Sequence, residues 1–216
     1  MLLTISAPLF SAVASCTLRP GDDARFYLEG IFVDASDPSA PQLVATNGHM
    51  LGRAPCVRVD TKDNVADVET PTHYSTSKTP GWLIRPFATP RDWKPLPAAA
   101  EDVLLILEPD GCTLRLDGRG QAFPQVRPRT YIDASFPDFK RVLADRDAKP
   151  AKPATEIACN PEYLNRPMVW ARLPNKDTPR CHAQIKLGSE GLAPWTVTYD
   201  ARALKDFELS LMPCRI

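Results

Sequence analysis

The sequence predicts an α+β protein in which antiparallel sheets carry helices on one face. Short apolar runs recur along its 216 residues, and clusters of turn-forming residues separate them. An apolar content of 44% and a charged content of 24% are typical of a globular chain with a sizeable buried core. Twenty-three prolines favour short, interrupted helices and ordered loops.

The N-terminal stretch allows two interpretations. Residues 1–16 are largely apolar, and Val13 to Cys16 has the form of a lipoprotein cleavage box, which is typical of an export signal. However, no Lys or Arg precedes the apolar stretch, and Ser6 and Pro8 interrupt it. The alternative is a strand over Leu2–Ile5 followed by a helix that Ser6 caps. We expect this second arrangement and a cytoplasmic protein.

The stretch from residue 25 to residue 53 predicts a hairpin, with a tight reversal that ends at Asn47-Gly48-His49. Two apolar runs, of which the first begins at residue 26, flank a loop from Asp34 to Pro41 that is rich in turn-forming residues. The dipeptide Asn47-Gly48 can supply the positive φ angles of a primed turn. Such a turn is expected to point His49 and Met50 out of the end of the sheet. An ordinary hairpin with a surface histidine is the alternative interpretation.

Two further units repeat the order of strand, helix and strands. The second is predicted between Gly81 and Leu143, with a short, proline-interrupted helix over Arg85–Lys94. The third contains a helix that starts at Asn160, because Asn is a favoured N-cap and Pro161 suits the first helical position. Pro167 is expected to kink this helix or end it early.

The composition indicates one boundary between domains. Residues 144–154 are charged and proline-rich, and they form the one clear linker. The predicted organisation is therefore a domain of two units over residues 1–143, a linker, and a single unit over residues 155–216.

Charge and cysteine usage argue against several classes of function. The 26 basic and 26 acidic residues cancel, so a nucleic-acid role needs a local basic patch. The six cysteines are scattered, and Cys181 and His182 are adjacent, so that in a strand they point to opposite faces and a zinc site is not expected. The sequence contains neither a phosphate-binding glycine loop nor a metalloprotease motif, and no apolar stretch of ~20 residues spans a membrane. We expect neither an enzyme nor a cofactor.

Four stretches, in order along the chain, resemble one family. LVATNGHMLGR at residues 43–53 resembles the ATDGHRL signature in the middle domain of the bacterial DNA polymerase III beta subunit, the sliding clamp. RFYLEG at residues 25–30 is similar to the RYYLNG that precedes this signature. FPDFKRVL at residues 136–143 is similar to FPDYRRVL, and residues 211–216 resemble the MPMRL terminus of the family.

The resemblance implies DNA-clamp-like repeats and a processivity factor that tethers a DNA polymerase and other proteins with short clamp-binding motifs to duplex DNA, without sequence specificity. Family members have six units and pair into a ring, whereas three units are counted here, so a homo-oligomer is expected. The alternative is a clamp-derived peptide-binding module that acts as an adaptor, decoy or regulator and does not encircle DNA.

The resemblance also assigns site residues. The implied peptide-binding residues are Leu28, Thr46, Gly48, His49, Leu51, Pro137, Arg141, Val142, Met212, Pro213 and Arg215. The DNA-binding candidates are Arg25, Phe26, Tyr27, Arg85, Arg91 and Lys94. Met50 stands where the family usually has Arg, and Cys214 stands where it often has Met. Both differences make the pocket rim smaller or less charged.

Overall fold

The computed structural model describes eight parts of the chain: residues 1–59, 81–87, 89–109, 111–120, 125–147, 158–172, 183–186 and 194–212. Within these parts, the chain forms two antiparallel sheets and three α-helices. The helices are α1 (Ala7–Ala14), α2 (Phe139–Asp147) and α3 (Pro161–Ala171). The strands are β1 (Leu2–Ser6), β2 (Ile31–Asp34), β3 (Gln42–Thr46), β4 (Met50–Pro55), β5 (Val57–Arg58), β6 (Gly81–Ile84), β7 (Ala100–Glu108), β8 (Gly111–Gly118), β9 (Gln125–Arg129), β10 (Ala183–Lys186), β11 (Trp195–Tyr199) and β12 (Glu208–Leu211).

The smaller sheet has the strand order β5-β1-β7-β8-β9, and the larger has the order β10-β11-β12-β4-β3-β2-β6. The larger sheet joins distant parts of the chain, because β12 pairs with β4 in the register Leu211 to Met50 and Glu208 to Arg53. The α+β class with antiparallel sheets is thus confirmed. The division into domains at residues 143 and 155 stays a prediction.

The larger sheet separates two hydrophobic cores, because successive residues of its strands point to opposite faces. Met50 on β4 faces a core between the two sheets, which also contains residues of β1, α1, α3, β7 and β8. The next residue, Leu51, faces a second core on the opposite side of the sheet, together with Phe32 of β2. Successive strand residues point to opposite faces, so this period of two is expected of a sheet that is covered on both sides. The second core is closed by Phe136, Phe139 and other residues of the segment that leads into α2.

Helices α1 and α3 pack against each other beside the first core. The prediction for α1 was correct in position, although the Ser6 side chain makes no capping hydrogen bond. The prediction for α3 was correct in mechanism as well, because the Asn160 side chain accepts a hydrogen bond from the Glu162 backbone N–H and Pro161 occupies the first turn. The helix continues through Pro167 to Ala171.

Two predicted elements are wrong. In place of a helix over Arg85–Lys94, the described residues there form bends and turns, and the two prolines of this stretch remove backbone donors that a helix needs. The strand predicted from residue 26 is a 3-10 helix over Phe26–Glu29, and β2 begins only at Ile31. The buried Glu29 carboxylate accounts for this bend, because it accepts hydrogen bonds from the Gly21 N–H and the Arg85 guanidinium.

Two further differences concern α2 and β9. The predicted linker over residues 144–154 begins inside α2, which runs to Asp147, because Phe139 and Leu143 anchor the helix on the second core. Residues 148–154 lie outside the described parts.

Strand β9 was not predicted, and it pairs with β8 although Pro128 interrupts its pattern. As an edge strand within the described residues, it tolerates the missing N–H.

Candidate functional site

The turn between β3 and β4 is fixed by two side chains. The Asn47 side-chain oxygen accepts hydrogen bonds from the His49 N–H at 2.9 Å and the Met50 N–H at 3.0 Å. The Thr46 hydroxyl donates to the Met50 carbonyl at 2.8 Å and accepts from the Gly48 N–H at 3.1 Å. Gly48 has a φ of 91°, a value that favours glycine. The turn is therefore rigid and presents His49 to solvent.

Met50 does not point out of the sheet as predicted. Its side chain is 1% exposed and lies in the core between the two sheets. The reason is the sheet period: His49 ends the turn, and Met50 is the first residue of β4 on the inner face. Of the two residues, only His49 is exposed at the turn.

Pairing of β12 with β4 brings Met212 to this turn. The Met212 N–H donates a hydrogen bond to the His49 carbonyl at 2.9 Å, although the two residues are far apart in sequence. The Met212 side chain remains 41% exposed, which is high for a large apolar residue beside a core. An apolar side chain is thus held at the surface next to His49.

The third segment of the site is the start of α2, which packs on the face of β4 that carries Leu51. Leu51 packs in the second core with Phe139 at the start of α2, and the Phe32 and Phe136 rings stack at 5.1 Å between centroids. On the adjoining surface of α2, Val142 is half-buried and Arg141 is exposed. The β3–β4 turn, the start of α2 and the end of β12 therefore meet around Leu51.

The predicted peptide-binding residues differ in accessibility. Leu28 and Thr46 are buried, at 3% and 8% exposure, and the Thr46 hydroxyl supports the turn. Pro137 is half-buried, and its carbonyl accepts a hydrogen bond from the Phe139 N–H. The predicted residues Pro213 and Arg215 lie outside the described residues.

Tyr163 of α3 is a neighbour of this turn that the sequence did not predict. Its ring stacks on the His49 ring, with centroids 5.8 Å apart and planes at 13°. The Arg166 guanidinium lies 5.4 Å from the Tyr163 ring centroid and 5.3 Å from that of Trp93. No local pattern links these residues, because α3 reaches the turn only through its packing on α1.

Comparison with solved structures relates this architecture to known proteins. A sliding clamp (DNA polymerase III subunit beta) from Bartonella birtlesii bound to griselimycin matches 100% of this chain at 17% identity and a TM-score of 0.53. The DNA polymerase III beta chain of Streptococcus pneumoniae matches 100% at 14% identity and a TM-score of 0.55. The chain has the fold of a bacterial sliding clamp. It spans 66% and 65% of the length of these two clamps, respectively.

Caulobacter crescentus pol III beta gives a third match with the clamp fold, at 16% identity and a TM-score of 0.52, over 100% of this chain and 66% of that one. No family model and no curated protein matches the chain. The resemblance predicted from four short motifs is therefore confirmed at the level of fold.

Two of the predicted DNA-binding residues, Arg25 and Arg85, form ion pairs with carboxylates. Arg25 forms an ion pair with Asp23 at 2.7 Å and lies beside Gly48, and Arg85 pairs with the buried Glu29 at 3.1 Å. Arg91 is exposed in the segment that follows β6. Lys94 is exposed, and Phe26 is 46% exposed. Tyr27, the last predicted residue of this set, packs at the edge of the second core.

The paired helices of this clamp fold carry few cations. Helix α1 contains no Lys or Arg. The one cation of α3 is Arg166, whose side chain is 13% exposed. Its guanidinium donates hydrogen bonds to the Glu162 carboxylate and to the Ser15 carbonyl. These two helices therefore offer little positive charge to a phosphate backbone.

A charged cleft of about 530 Å³ is lined by the loop between β2 and β3, the end of β4, the start of β12 and Lys140 of α2. Asp34, which is 3% exposed, forms an ion pair with Lys140 at 3.2 Å and accepts hydrogen bonds from Gln42 and the Ser36 N–H. Burial opposes ionisation of Asp34, but these bonds outweigh it and hold its pKa below the usual 3.8.

Within the described parts of the chain, no group of three or more His, Cys, Asp or Glu residues is arranged to hold a metal ion. None of the described helices is long and apolar enough to cross a bilayer.

Proposed function

We propose that this protein acts in the cytoplasm as a clamp-type tethering factor. In this proposal it binds short linear motifs of a DNA polymerase and other replication proteins, and as a homo-oligomer it holds duplex DNA without sequence preference. The motif binds in a groove, here called the turn groove, formed by the β3–β4 turn, the start of α2 and Met212. The clamp fold supports this proposal.

The observation that carries the proposal is the hydrogen bond between the Met212 N–H and the His49 carbonyl. It holds an exposed apolar side chain beside a rigid turn, with the buried Leu51 beneath and the half-buried Val142 on the adjoining surface of α2. A concave apolar site with a few fixed polar groups is the usual composition of a small binding pocket. Two apolar side chains of an extended peptide are the expected anchors.

Titration calorimetry with a short peptide ending in Leu-Phe tests the groove. We expect micromolar affinity, and we expect Met212→Ala to weaken binding by about 1 to 3 kcal/mol with the fold intact. Val126→Ala is a matched control, because Val126 is 62% exposed on β9 and has no part in the turn groove. Absence of heat and of competition by any such peptide would refute the groove.

Duplex binding tests the second half of the proposal. Binding is expected to be weak, indifferent to sequence and steeply reduced by salt, because release of counterions supplies most of the free energy. Replacing Arg91 and Lys94 together by Ala should lower this affinity without unfolding, since both are exposed. Arg85 is not replaced in this test, because its removal would leave the buried Glu29 carboxylate without its ion-pair partner.

A second candidate function is a peptide-binding module that does not hold DNA. It is favoured by the helices of the described chain, because α1 has no Lys or Arg and the Arg166 guanidinium lies over two aromatic rings and is largely buried. Light scattering and the duplex assay distinguish the two functions. A monomer that binds the peptide but shows no salt-dependent duplex binding would support the module, whereas an oligomer that binds both would support the clamp.

A further inference from the structure

A column of rings and one guanidinium runs from the turn groove into the protein. Its members, in order, are His49, Tyr163, Arg166, Trp93 and Trp170. The Trp93 and Trp170 rings meet edge to face with centroids 4.9 Å apart. We call this set the aromatic column.

The inner end of the column is anchored. Trp170 is 7% exposed and belongs to the core between the sheets. The Trp93 indole N–H donates a hydrogen bond to the Thr17 hydroxyl at 3.1 Å, and Thr17 is itself fully buried. Since these contacts fix Trp93, the inner face of the Arg166 guanidinium rests on an immobile surface.

Hydrogen bonds at its edge also hold the Arg166 guanidinium in place, in addition to its contact with the Trp93 ring. Its nitrogens bond the Glu162 carboxylate one turn earlier and the Ser15 carbonyl just after α1. A planar cation can stack on an aromatic ring on each side while its edge makes hydrogen bonds, and a lysine ammonium cannot. Arg166 therefore transmits the position of Trp93 to the ring of Tyr163.

The outer end of the column is at the turn groove. His49 is exposed, and its ring lies nearly parallel to that of Tyr163. Its carbonyl is the atom that accepts the Met212 N–H. Because Asn47 and Thr46 fix the backbone of the turn, a displacement of Tyr163 would move the His49 ring relative to the exposed Met212 side chain.

We propose that Arg166 and Trp93 are positioning residues for the turn groove. They hold Tyr163, and through it His49, at the separation from Met212 that a bound peptide requires. This inference rests on the proposed peptide-binding function. It also makes the segment that carries Arg91 and Lys94 a structural neighbour of the groove, because Trp93 lies between them in sequence.

The test uses Arg166→Lys, which keeps the charge and loses the planar stacking, and Trp93→Leu, which removes the anchoring ring. Arg172→Lys is the matched control, because Arg172 is an exposed residue just after α3. The first measurement is the chemical shift of the His49 ring protons, assigned with His49→Gln. The second is the affinity for the Leu-Phe peptide, measured by fluorescence anisotropy.

Both test variants should shift the His49 ring protons downfield, because the shielding face of Tyr163 moves away, and the control should leave them unchanged. Peptide affinity should fall about fivefold in each test variant, as expected for one stacked cation. The double variant should lose little more than either single variant, because both residues act through the same ring.

Unchanged His49 resonances in both test variants would overturn the inference whatever the peptide does. Shifted resonances with parental peptide affinity would overturn its link to binding. If the parent protein binds no such peptide, the proposed function fails together with the affinity part of this inference. The resonances alone then decide whether the column positions His49.

Discussion

The β3–β4 turn permits a sharp test of how one side chain supports the candidate site. The Asn47 side chain is 4% exposed, and its oxygen accepts hydrogen bonds from the His49 and Met50 N–H groups. Asn47→Ala removes both bonds at once. His49 is exposed, so its N–H can turn to water, but Met50 is 1% exposed and its N–H stays buried without a partner.

The magnitude follows from this difference. A lost hydrogen bond to a group that water can reach costs about 1 kcal/mol, and a buried donor left unsatisfied costs about 1 to 3 kcal/mol. The expected loss in the free energy of unfolding is therefore about 2 to 3 kcal/mol. Peptide affinity should fall too, because a loosened turn no longer holds His49 beside Met212.

Urea unfolding, extrapolated linearly to water, measures the change. Asn47→Asp keeps an acceptor at the same position and should retain most of the stability. Asn165→Ala serves as the control, because Asn165 is an exposed residue of α3, where alanine is at least as good a helix former. A loss below about 0.5 kcal/mol for Asn47→Ala would refute the reasoning, since it lies within the range of ordinary surface substitutions.

Three other outcomes are expected. Gly52→Ala should destabilise the protein by about 1 to 3 kcal/mol in urea unfolding, because the new Cβ lies 2.5 Å from the Cys16 sulfur, and Cys16→Ala in the same chain should restore part of the loss. The depressed pKa of Asp34 contributes stability above its unfolded value of 3.8, and this contribution is lost as pH falls through the folded pKa. The free energy of unfolding should therefore drop below about pH 4, and Asp34→Asn should flatten that drop. Burial raises the pKa of the Cys16, Cys56 and Cys112 thiols to about 12, so a disulfide reagent at pH 8 should label them only after unfolding.

Local rules predicted the elements whose signals are local. The start of α3 at Asn160 followed from capping chemistry, and the positive φ of Gly48 followed from turn chemistry. Strands β11 and β12 followed from short apolar runs. In each case the residues that decide the structure are neighbours in the sequence.

The errors came from tertiary contacts that no local pattern carries. Residues 26–29 bend because the Glu29 carboxylate bonds Arg85, 56 positions away. Met50 is inside the protein because the sheet has a core on each face, which the alternation around the turn does not reveal. Tyr163 reaches His49 only through the packing of α3 on α1.

The candidate site was predictable through family motifs and not through physical pattern. Thr46, Leu51 and Val142 belong to stretches that resemble clamp motifs, and the structure brings the β3–β4 turn and the start of α2 to the same part of the sheet. The aromatic column had no such motif. Arg166 and Trp93 become neighbours only when the third unit folds against the second.

Pairing of β4 with β12 has a consequence for how the chain is made. Strand β4 finds its first partner, β3, within the same hairpin, but its second partner is Glu208–Leu211. During translation, the β4 edge therefore stays open until residues 208–211 have left the ribosome. Such late, non-local pairing is slow and exposes an edge strand to wrong partners, so a nascent-chain chaperone is expected to assist it. Because Met212 meets His49 only after this step, the proposed turn groove forms only once β12 has paired with β4.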